Sequence, residues 1–237
     1  MQVAALRTEI THLGMALDPT PDMVAKALDA GADMVLSHHP LAMKPAMPDT
    51  LNNFHAVLRL LFGANVPLYS AHTSLDANLH GPAAWLADAF SLTGRQSLEF
   101  IADHDQGPPS YGFGIVGNLP SSLPYAAFAE KLAVFLGKTA WRASGPMPES
   151  ISRIAYCPGS GESLAADAAA AGADIYITGD VKYHAALETP IRILDVGHFI
   201  LEETMMRVFA QKLRAACAPL TVTFHEAADP FTFESAV

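Results

Sequence analysis

Cysteine is scarce in this chain, and its scarcity excludes several kinds of site. Only Cys157 and Cys217 occur among 237 residues, far apart and in no Cys-x-x-Cys arrangement. A disulfide framework and a thiolate metal site both need more cysteines at closer spacing. Any metal site would therefore have to be built from histidine and carboxylate side chains.

Basic residues and long apolar runs are also few. Fourteen lysines and arginines stand against 24 aspartates and glutamates, which gives a formal net charge of −10. Such a surface repels phosphate backbones, so generic nucleic-acid binding is not expected. No apolar stretch approaches the roughly 20 residues that span a bilayer, and the first residues lack the basic flank and apolar core of a signal peptide. We therefore expect a cytoplasmic protein without a membrane partner.

The sequence does contain an alternation of strand and helix patterns, and 51% of its residues are hydrophobic. Residues 8–17 and 32–37 have the pattern of short buried strands, and Thr20, Pro21 and Asp22 between them are typical of a helix start. A helix at about 52–63 and a strand at 66–71 follow. This order predicts an α/β fold with mostly parallel or mixed sheets flanked by helices.

The second half of the chain repeats this order. AGADMVLSHH at 30–39 and AGADIYITGD at 171–180 share an Ala-Gly-Ala-Asp helix end and a four-residue strand before a polar tip. Further on, His72-x-x-x-Asp76 in one half matches His198-x-x-x-Glu202 in the other. Chance is the alternative explanation, because Ala-Gly-Ala-Asp is a common helix ending in an alanine-rich chain.

We favour two similar α/β units, which we assign to residues 1–100 and 101–237, with the metal site in the cleft between them. The second unit includes a connecting α+β segment at 101–150, bounded by the loop sequences HDQGPPS and SGPMPES. Within this segment, GFGIVG at 112–117 matches a dinucleotide-binding fingerprint, but that motif must follow a strand and open a helix. A Gly-Pro-Pro turn precedes it here, so we expect these glycines to lie inside a strand.

His38 and His39 directly follow the predicted strand at 32–37, and open α/β sheets hold ligands at the carboxyl ends of their strands. Neighbouring strand residues point to opposite sides, but two imidazoles can converge on one centre where the strand turns. Local capping and hydrogen bonding is the alternative for this pair. It is also the expected role of the isolated histidines, namely His12, His55, His80, His104 and His225.

His198 and Glu202 suit one face of a helix, because residues four apart are neighbours there. With His38, His39 and Asp76 they make five donors, more than one tetrahedral ion needs. Imidazole and carboxylate together suit zinc, iron or manganese. A carboxylate that bridges two ions would use the donors economically, and paired metals about 3.5–4 Å apart can activate a shared water.

These motifs resemble the NIF-three-like dinuclear metal proteins, a family often labelled GTP cyclohydrolase type 2 homologues. The matching stretches are GADMVLSHHPL, HTSLDA, GSGESL, TGDVKYH and GHFILEE, in family order over most of the chain. The resemblance implies two divalent ions per chain held by His38, His39, Asp76, His198 and Glu202. It also implies that His72 and His184 transfer protons or contact substrate, and that the chain forms a homohexameric ring.

The resemblance favours a metal-dependent hydrolase that acts on a nucleotide or related small molecule, by ring opening at C8 of a guanine nucleotide. Two ions would lower the pKa of a bound water, and His72 or His184 would move protons. A two-metal phosphoesterase and a metal-binding or regulatory protein without turnover are the alternatives. Lys44, Lys182 and Arg192, close in sequence to the site loops, are the candidate cations for a substrate phosphate, with an ordinary surface role as the favoured alternative for each.

Overall fold

The structure is a computed structural model that describes residues 1–102, 111–232 and 234. His104 and the predicted loop HDQGPPS lie outside the described residues. The strands are β1 (His12–Ala16), β2 (Met34–Ser37), β3 (Leu68–Ser70), β4 (Thr93–Ala102), β5 (Tyr111–Pro124), β6 (Arg142–Ser144), β7 (Ser150–Tyr156), β8 (Ile175–Thr178), β9 (Arg192–Asp195) and β10 (Thr221–Phe224). The helices are α1 (Pro21–Asp29), α2 (Asn53–Ala64), α3 (Thr73–Asp76), α4 (Trp85–Ala89), α5 (Tyr125–Leu136), α6 (Ala165–Ala170), α7 (Tyr183–Glu188) and α8 (His198–Ala216). None of the described helices is both long and apolar enough to cross a membrane.

The fold is α/β, and the chain divides into two compact units. The first unit consists of Met1–Thr73 together with the chain from Met206 onward, and the second consists of Ser74–Met205. This division differs from the predicted one at residue 100. The reason is strand pairing: β4 joins the sheet of the second unit, whereas β10 returns from the far end of the chain to pair with β1.

The first unit contains a four-stranded parallel sheet in the order β10-β1-β2-β3. Parallel neighbours need a crossover connection, and α1 and α2 supply the two that follow β1 and β2. The predicted start of α1 is confirmed, because the Thr20 hydroxyl accepts the backbone N–H of Met23 at 3.3 Å and Pro21 opens the helix. In the register, Ser37 at the end of β2 lies beside Ser70 at the end of β3.

The second unit contains a six-stranded mixed sheet in the order β4-β5-β7-β8-β9-β6. Its β7, β8 and β9 are parallel neighbours, as β1, β2 and β3 are in the first unit, and the remaining pairs are antiparallel. Gly112 and Gly117 lie within β5, so the expectation that these glycines belong to a strand is confirmed. A Cβ at residue 112 would overlap the carbonyl oxygen of Glu99 on the neighbouring strand.

The Ala-Gly-Ala-Asp repeat has the same structural role in both units. Gly31 and Gly172, with φ of 86° and 72°, follow α1 and α6 in the left-handed region that favours glycine. The Asp33 carboxylate then accepts the backbone N–H groups of residues 11 and 12, each at 3.0 Å. Asp174 likewise accepts the N–H groups of residues 152 and 153, at 2.7 and 2.9 Å. The similarity of the two units therefore extends to hydrogen bonds between each helix end and the preceding strand.

Candidate metal centre

Three histidines of the first unit lie together, and we call them the histidine cluster: His38, His39 and His72. Their ring centroids are 5.0 Å apart for the first two, and the ring of His72 lies 5.2 Å from that of His38 and 5.6 Å from that of His39. One ligand nitrogen from each ring lies within 4.8 Å of the others. Strand pairing creates this arrangement, because β2 and β3 end side by side and each is followed by part of the cluster.

His38 has a fixed ring orientation at the centre of this cluster. Its side chain is completely buried, and its Nδ1 lies 2.8 Å from the carbonyl oxygen of Ala71. A carbonyl oxygen can only accept a hydrogen bond, so Nδ1 carries the proton and Nε2 carries the lone pair. This is the tautomer that a neutral imidazole needs to bind a metal through Nε2.

His39 is held by a carboxylate. Its Nδ1 lies 2.7 Å from Oδ1 of Asp18, which follows β1. A carboxylate on the far nitrogen of a metal-binding histidine fixes the ring and raises its basicity. The Ser37 hydroxyl donates to the His39 carbonyl oxygen at 2.7 Å and also lies 2.9 Å from the Ser70 hydroxyl. Asp18 was not predicted, because a supporting carboxylate has no fixed spacing from its histidine.

The second unit holds a group of acidic and imidazole side chains, which we call the carboxylate cluster: Asp76, Asp180, His198 and Glu202. His198 and Glu202 lie one turn apart on α8, as their spacing predicts, with Nε2 and Oε2 at 2.7 Å. The other ring nitrogen of His198 lies 2.7 Å from Oδ2 of Asp180. Asp180 lies in the TGDVKYH stretch, but its role as the partner of His198 was not predicted.

The two carboxylates strongly favour the protonated form of His198. The hydrogen bond to Glu202 contributes most, burial opposes it, and Asp180 adds to it, so that the pKa of His198 rises to about 9. Metal ligands must be neutral imidazoles, so an ion that binds His198 would displace this proton. The affinity of this cluster for a metal is therefore expected to depend on pH.

Glu202 is buried against the turn that follows β7. Only 5% of the residue is exposed, and a Cβ at Gly159 would overlap its Oε1. Gly159 has φ of 66°, which glycine adopts without strain. The GSGESL stretch thus has a physical role that sequence reasoning did not assign, since it makes room for a predicted metal ligand.

Asp76 lies at the end of α3 and belongs to the second unit, as does the buried Cys157. The pKa of the Cys157 thiol is raised to about 12 by burial, and then by the negative charges of Asp76 and Glu202. Both predicted carboxylate ligands are therefore close enough to one buried thiol to perturb it. Such a concentration of carboxylates with an imidazole is a donor set that can bind a divalent cation.

His184 and the cations predicted to contact phosphate are not members of the histidine cluster or of the carboxylate cluster. His184 is exposed on α7, with its ring 5.4 Å from that of Tyr183, and it is not part of a metal-binding group found among the described residues. Lys44 and Lys182 are exposed. Arg192 lies at the start of β9, where Nη1 donates to the Gly145 carbonyl oxygen at 3.0 Å. A catalytic role for His184 and phosphate contacts by these three cations stay predictions.

Comparisons with known proteins agree with one another. A family model described as Duf34/NIF3 (NGG1p interacting factor 3) matches residues 1–230. A Lactococcus lactis protein named GTP cyclohydrolase 1 type 2 homolog is 33% identical over 223 residues, which cover 91% of this chain and 82% of that protein. A Clostridium perfringens protein of the same name is 30% identical over 239 residues, with 98% and 90% covered. The crystal structure of a Bacillus cereus protein related to NIF3 has the same fold, with a TM-score of 0.83 at 20% identity over 98% of this chain and 92% of that one.

Proposed function

The chain belongs to the Duf34/NIF3 family, and we propose that it is a dinuclear metal-dependent hydrolase that acts on a nucleotide or a related small molecule. The observation that carries this proposal is the histidine cluster. The rings of His38 and His39 have centroids 5.0 Å apart with His72 beside them, and His38 and His39 each have Nδ1 engaged by an oxygen acceptor. Imidazoles oriented in this way fit a metal ion.

We propose two ions per chain, with the ligands that the resemblance implies: His38, His39, Asp76, His198 and Glu202. The mixture of nitrogen and oxygen donors suits zinc, iron or manganese. Two ions bound to such donors would lower the pKa of a shared water and so supply a nucleophile near neutral pH.

The protein's own residues orient these donors and move protons. The Ala71 carbonyl and the Asp18 carboxylate fix the rings of His38 and His39, and Asp180 does the same for His198. For His72 we keep the predicted role in proton transfer, because an imidazole titrates near neutral pH and its ring lies in the histidine cluster. We propose no step for His184.

A guanine nucleotide is the first substrate to test, because relatives of this chain carry the name GTP cyclohydrolase 1 type 2 homolog. In that reaction water would add to C8 of the base and the bond from C8 to a ring nitrogen would break. The homohexameric ring and the cytoplasmic location stay predictions of the resemblance and of composition.

The test is elemental analysis of untagged protein, with GTP turnover measured on the same samples. Wild type is compared with His38→Ala, with Glu202→Gln and with the control His55→Ala, which removes a histidine of α2 outside both clusters. We expect about two ions per chain in wild type and control, and a loss of at least one ion together with turnover in the other variants.

Two results would contradict parts of the proposal. A wild-type protein that is metal-free and takes up no zinc, iron or manganese on reconstitution would overturn the metal centre. Full metal content without hydrolysis of GTP or of any other nucleotide tested would overturn the hydrolase and favour the metal-binding protein without turnover.

A further inference from the structure

The second unit contains a cleft of about 250 Å³ between α7 and the edge of the sheet formed by β6 and β9, which we call the α7 cleft. Arg142, Tyr183 and Asp195 provide its polar and aromatic groups. Its apolar lining includes Val181, Ala186 and Ile193. The cleft therefore offers an apolar surface with charged groups on one side.

Asp195 connects the α7 cleft to the loops of the carboxylate cluster. It is 7% exposed and accepts the backbone N–H of Val181 at 3.1 Å and that of Gly197 at 3.2 Å. Val181 directly follows Asp180 in the chain, and Gly197 directly precedes His198. A molecule in the cleft would thus lie beside the segments that carry a predicted metal ligand and its supporting carboxylate.

Two cations lie at the same end of β9. Arg142 is the register partner of Asp195 and its side chain is 74% exposed. Both of its hydrogen bonds in the described structure, to the Val181 carbonyl oxygen and the Asp195 carboxylate, use Nη2, so Nε and Nη1 remain as donors for a ligand. Lys138 donates through Nζ to the Val196 carbonyl oxygen at 3.2 Å. The Asp195 carboxylate balances one of these two positive charges, and the second charge together with the remaining Arg142 donors favours an anion in a chain of net charge −10.

Tyr183 supplies an aromatic surface at the cleft. It is 74% exposed although it lines a cleft with an apolar floor. An exposed aromatic ring beside an apolar cleft can stack on a flat ring of a bound ligand. The volume of the cleft is below the roughly 300–1,000 Å³ typical of sites for drug-sized ligands, so it suits a single ring system.

We propose that the α7 cleft binds an aromatic phosphate, with the ring against Tyr183 and the phosphate at Arg142 and Lys138. Two separate cations suit a phosphate monoester, which carries up to two negative charges. This assigns the phosphate contact to Arg142 instead of Arg192, which lies at the opposite end of β9. The inference rests on the proposed function for the identity of the adjoining site, but binding in the cleft itself requires no metal.

The probe that tests this proposal is phenyl phosphate, with phenol and inorganic phosphate as its two halves. Dissociation constants are measured by calorimetry or NMR titration on the metal-loaded full chain and on the same protein after chelation. We expect phenyl phosphate to bind more tightly than either half in both samples. Tyr183→Ala should weaken phenyl phosphate and phenol by roughly two- to tenfold.

Arg142→Lys keeps a positive charge beside Asp195 but removes the planar set of N–H donors, so phenyl phosphate and inorganic phosphate should both bind more weakly. Lys138→Gln should do the same, whereas neither change should affect phenol. The matched control is Arg59→Lys, an exposed arginine of α2 in the first unit, for which all three dissociation constants should stay unchanged. If an Arg142 variant does not fold, the variants of the exposed Tyr183 and the half-buried Lys138 decide the outcome.

Failure of wild type to bind phenyl phosphate would overturn the inference, and so would unchanged binding in the Tyr183 and Arg142 variants. Binding that disappears on chelation would assign the phosphate to a metal ion and would also overturn it. Metal content is measured on the same samples to separate this inference from the proposed function. A protein that holds metal but does not bind phenyl phosphate contradicts the inference alone. A protein that binds phenyl phosphate but never takes up metal contradicts the proposed function alone.

Discussion

Gly159 leaves open the space that the carboxylate of Glu202 occupies. A Cβ at residue 159 would overlap Oε1 of Glu202, and φ at this glycine is 66°. The turn after β7 thereby sets the position of a predicted metal ligand on α8. A second consequence is that the backbone conformation at residue 159 strains any residue other than glycine, by about 1–2 kcal/mol.

Gly159→Ala is expected to displace Glu202 and to lower zinc affinity roughly ten- to hundredfold. The matched control is Gly172→Ala, because Gly172 has φ of 72° but no atom within 4 Å of an added Cβ. The control carries the same kind of backbone strain without the overlap. Calorimetric zinc titrations of both variants check the prediction, and equal affinities for the two would refute it.

Asp18→Ala is expected to weaken metal binding without removing a ligand. Asp18 holds Nδ1 of His39 at 2.7 Å, and loss of such a supporting carboxylate costs roughly ten- to hundredfold in metal affinity. Competition with a coloured chelator measures the change. Asp22→Ala serves as the control, because Asp22 pairs with Lys26 on the exposed side of α1 and its removal should leave the affinity unchanged.

The two thiols are expected to differ sharply in reactivity. Cys217 is exposed, whereas burial and two nearby carboxylates raise the pKa of Cys157 to about 12. The thiolate is the reactive form, so Cys157 should be inert in the native protein at neutral pH. An aromatic disulfide reagent should modify one thiol of the native chain and both after unfolding in urea. Native Cys217→Ser should not react, and rapid labelling of that variant would show that Cys157 is accessible and ionised.

The stabilising effect of Asp33 is expected to fade in acid. Burial raises the pKa of Asp33, but hydrogen bonds from Thr11 and His12 outweigh burial and lower it below its usual value. A lowered pKa means that the stabilisation is complete above about pH 4 and is lost as the pH falls through the folded-state pKa.

Asp33→Ala should therefore lower the free energy of unfolding by about 2–3 kcal/mol at pH 7 and by less at pH 3. Urea unfolding at both pH values measures this difference. Asp29→Ala, an exposed aspartate at the end of the same helix, should change stability by no more than about 0.5 kcal/mol. A loss for Asp33→Ala that is as large at pH 3 as at pH 7 would contradict the assigned hydrogen bonds.

Features that depend on short stretches of sequence were predictable. The cap of α1 at Thr20 depends on residues three apart, and the contact between His198 and Glu202 follows from the helical repeat. The strands that precede His38 and His39 and the glycines within β5 were also predicted, because apolar runs and turn residues mark them locally.

Features that depend on distant pairing were not predictable. The division of the chain was misplaced because His12 pairs with Thr221, more than 200 residues away along the chain. Arg192 stays a predicted phosphate-binding cation because it is close in sequence to the site loops. In the structure it lies at the start of β9, whereas Arg142 pairs with the residue that ends this strand.

The sequence by itself indicated which side chains could form a metal site, because cysteine is scarce and histidine and carboxylate side chains follow several of the predicted strands. It also determined that two similar units would present them, since the repeated motifs lie before those side chains. The tertiary structure alone decided which nitrogen of the neutral His38 and His39 rings carries the lone pair. That choice depends on an acceptor such as the Ala71 carbonyl or Asp18, and only strand pairing and loop packing bring these acceptors to the ring.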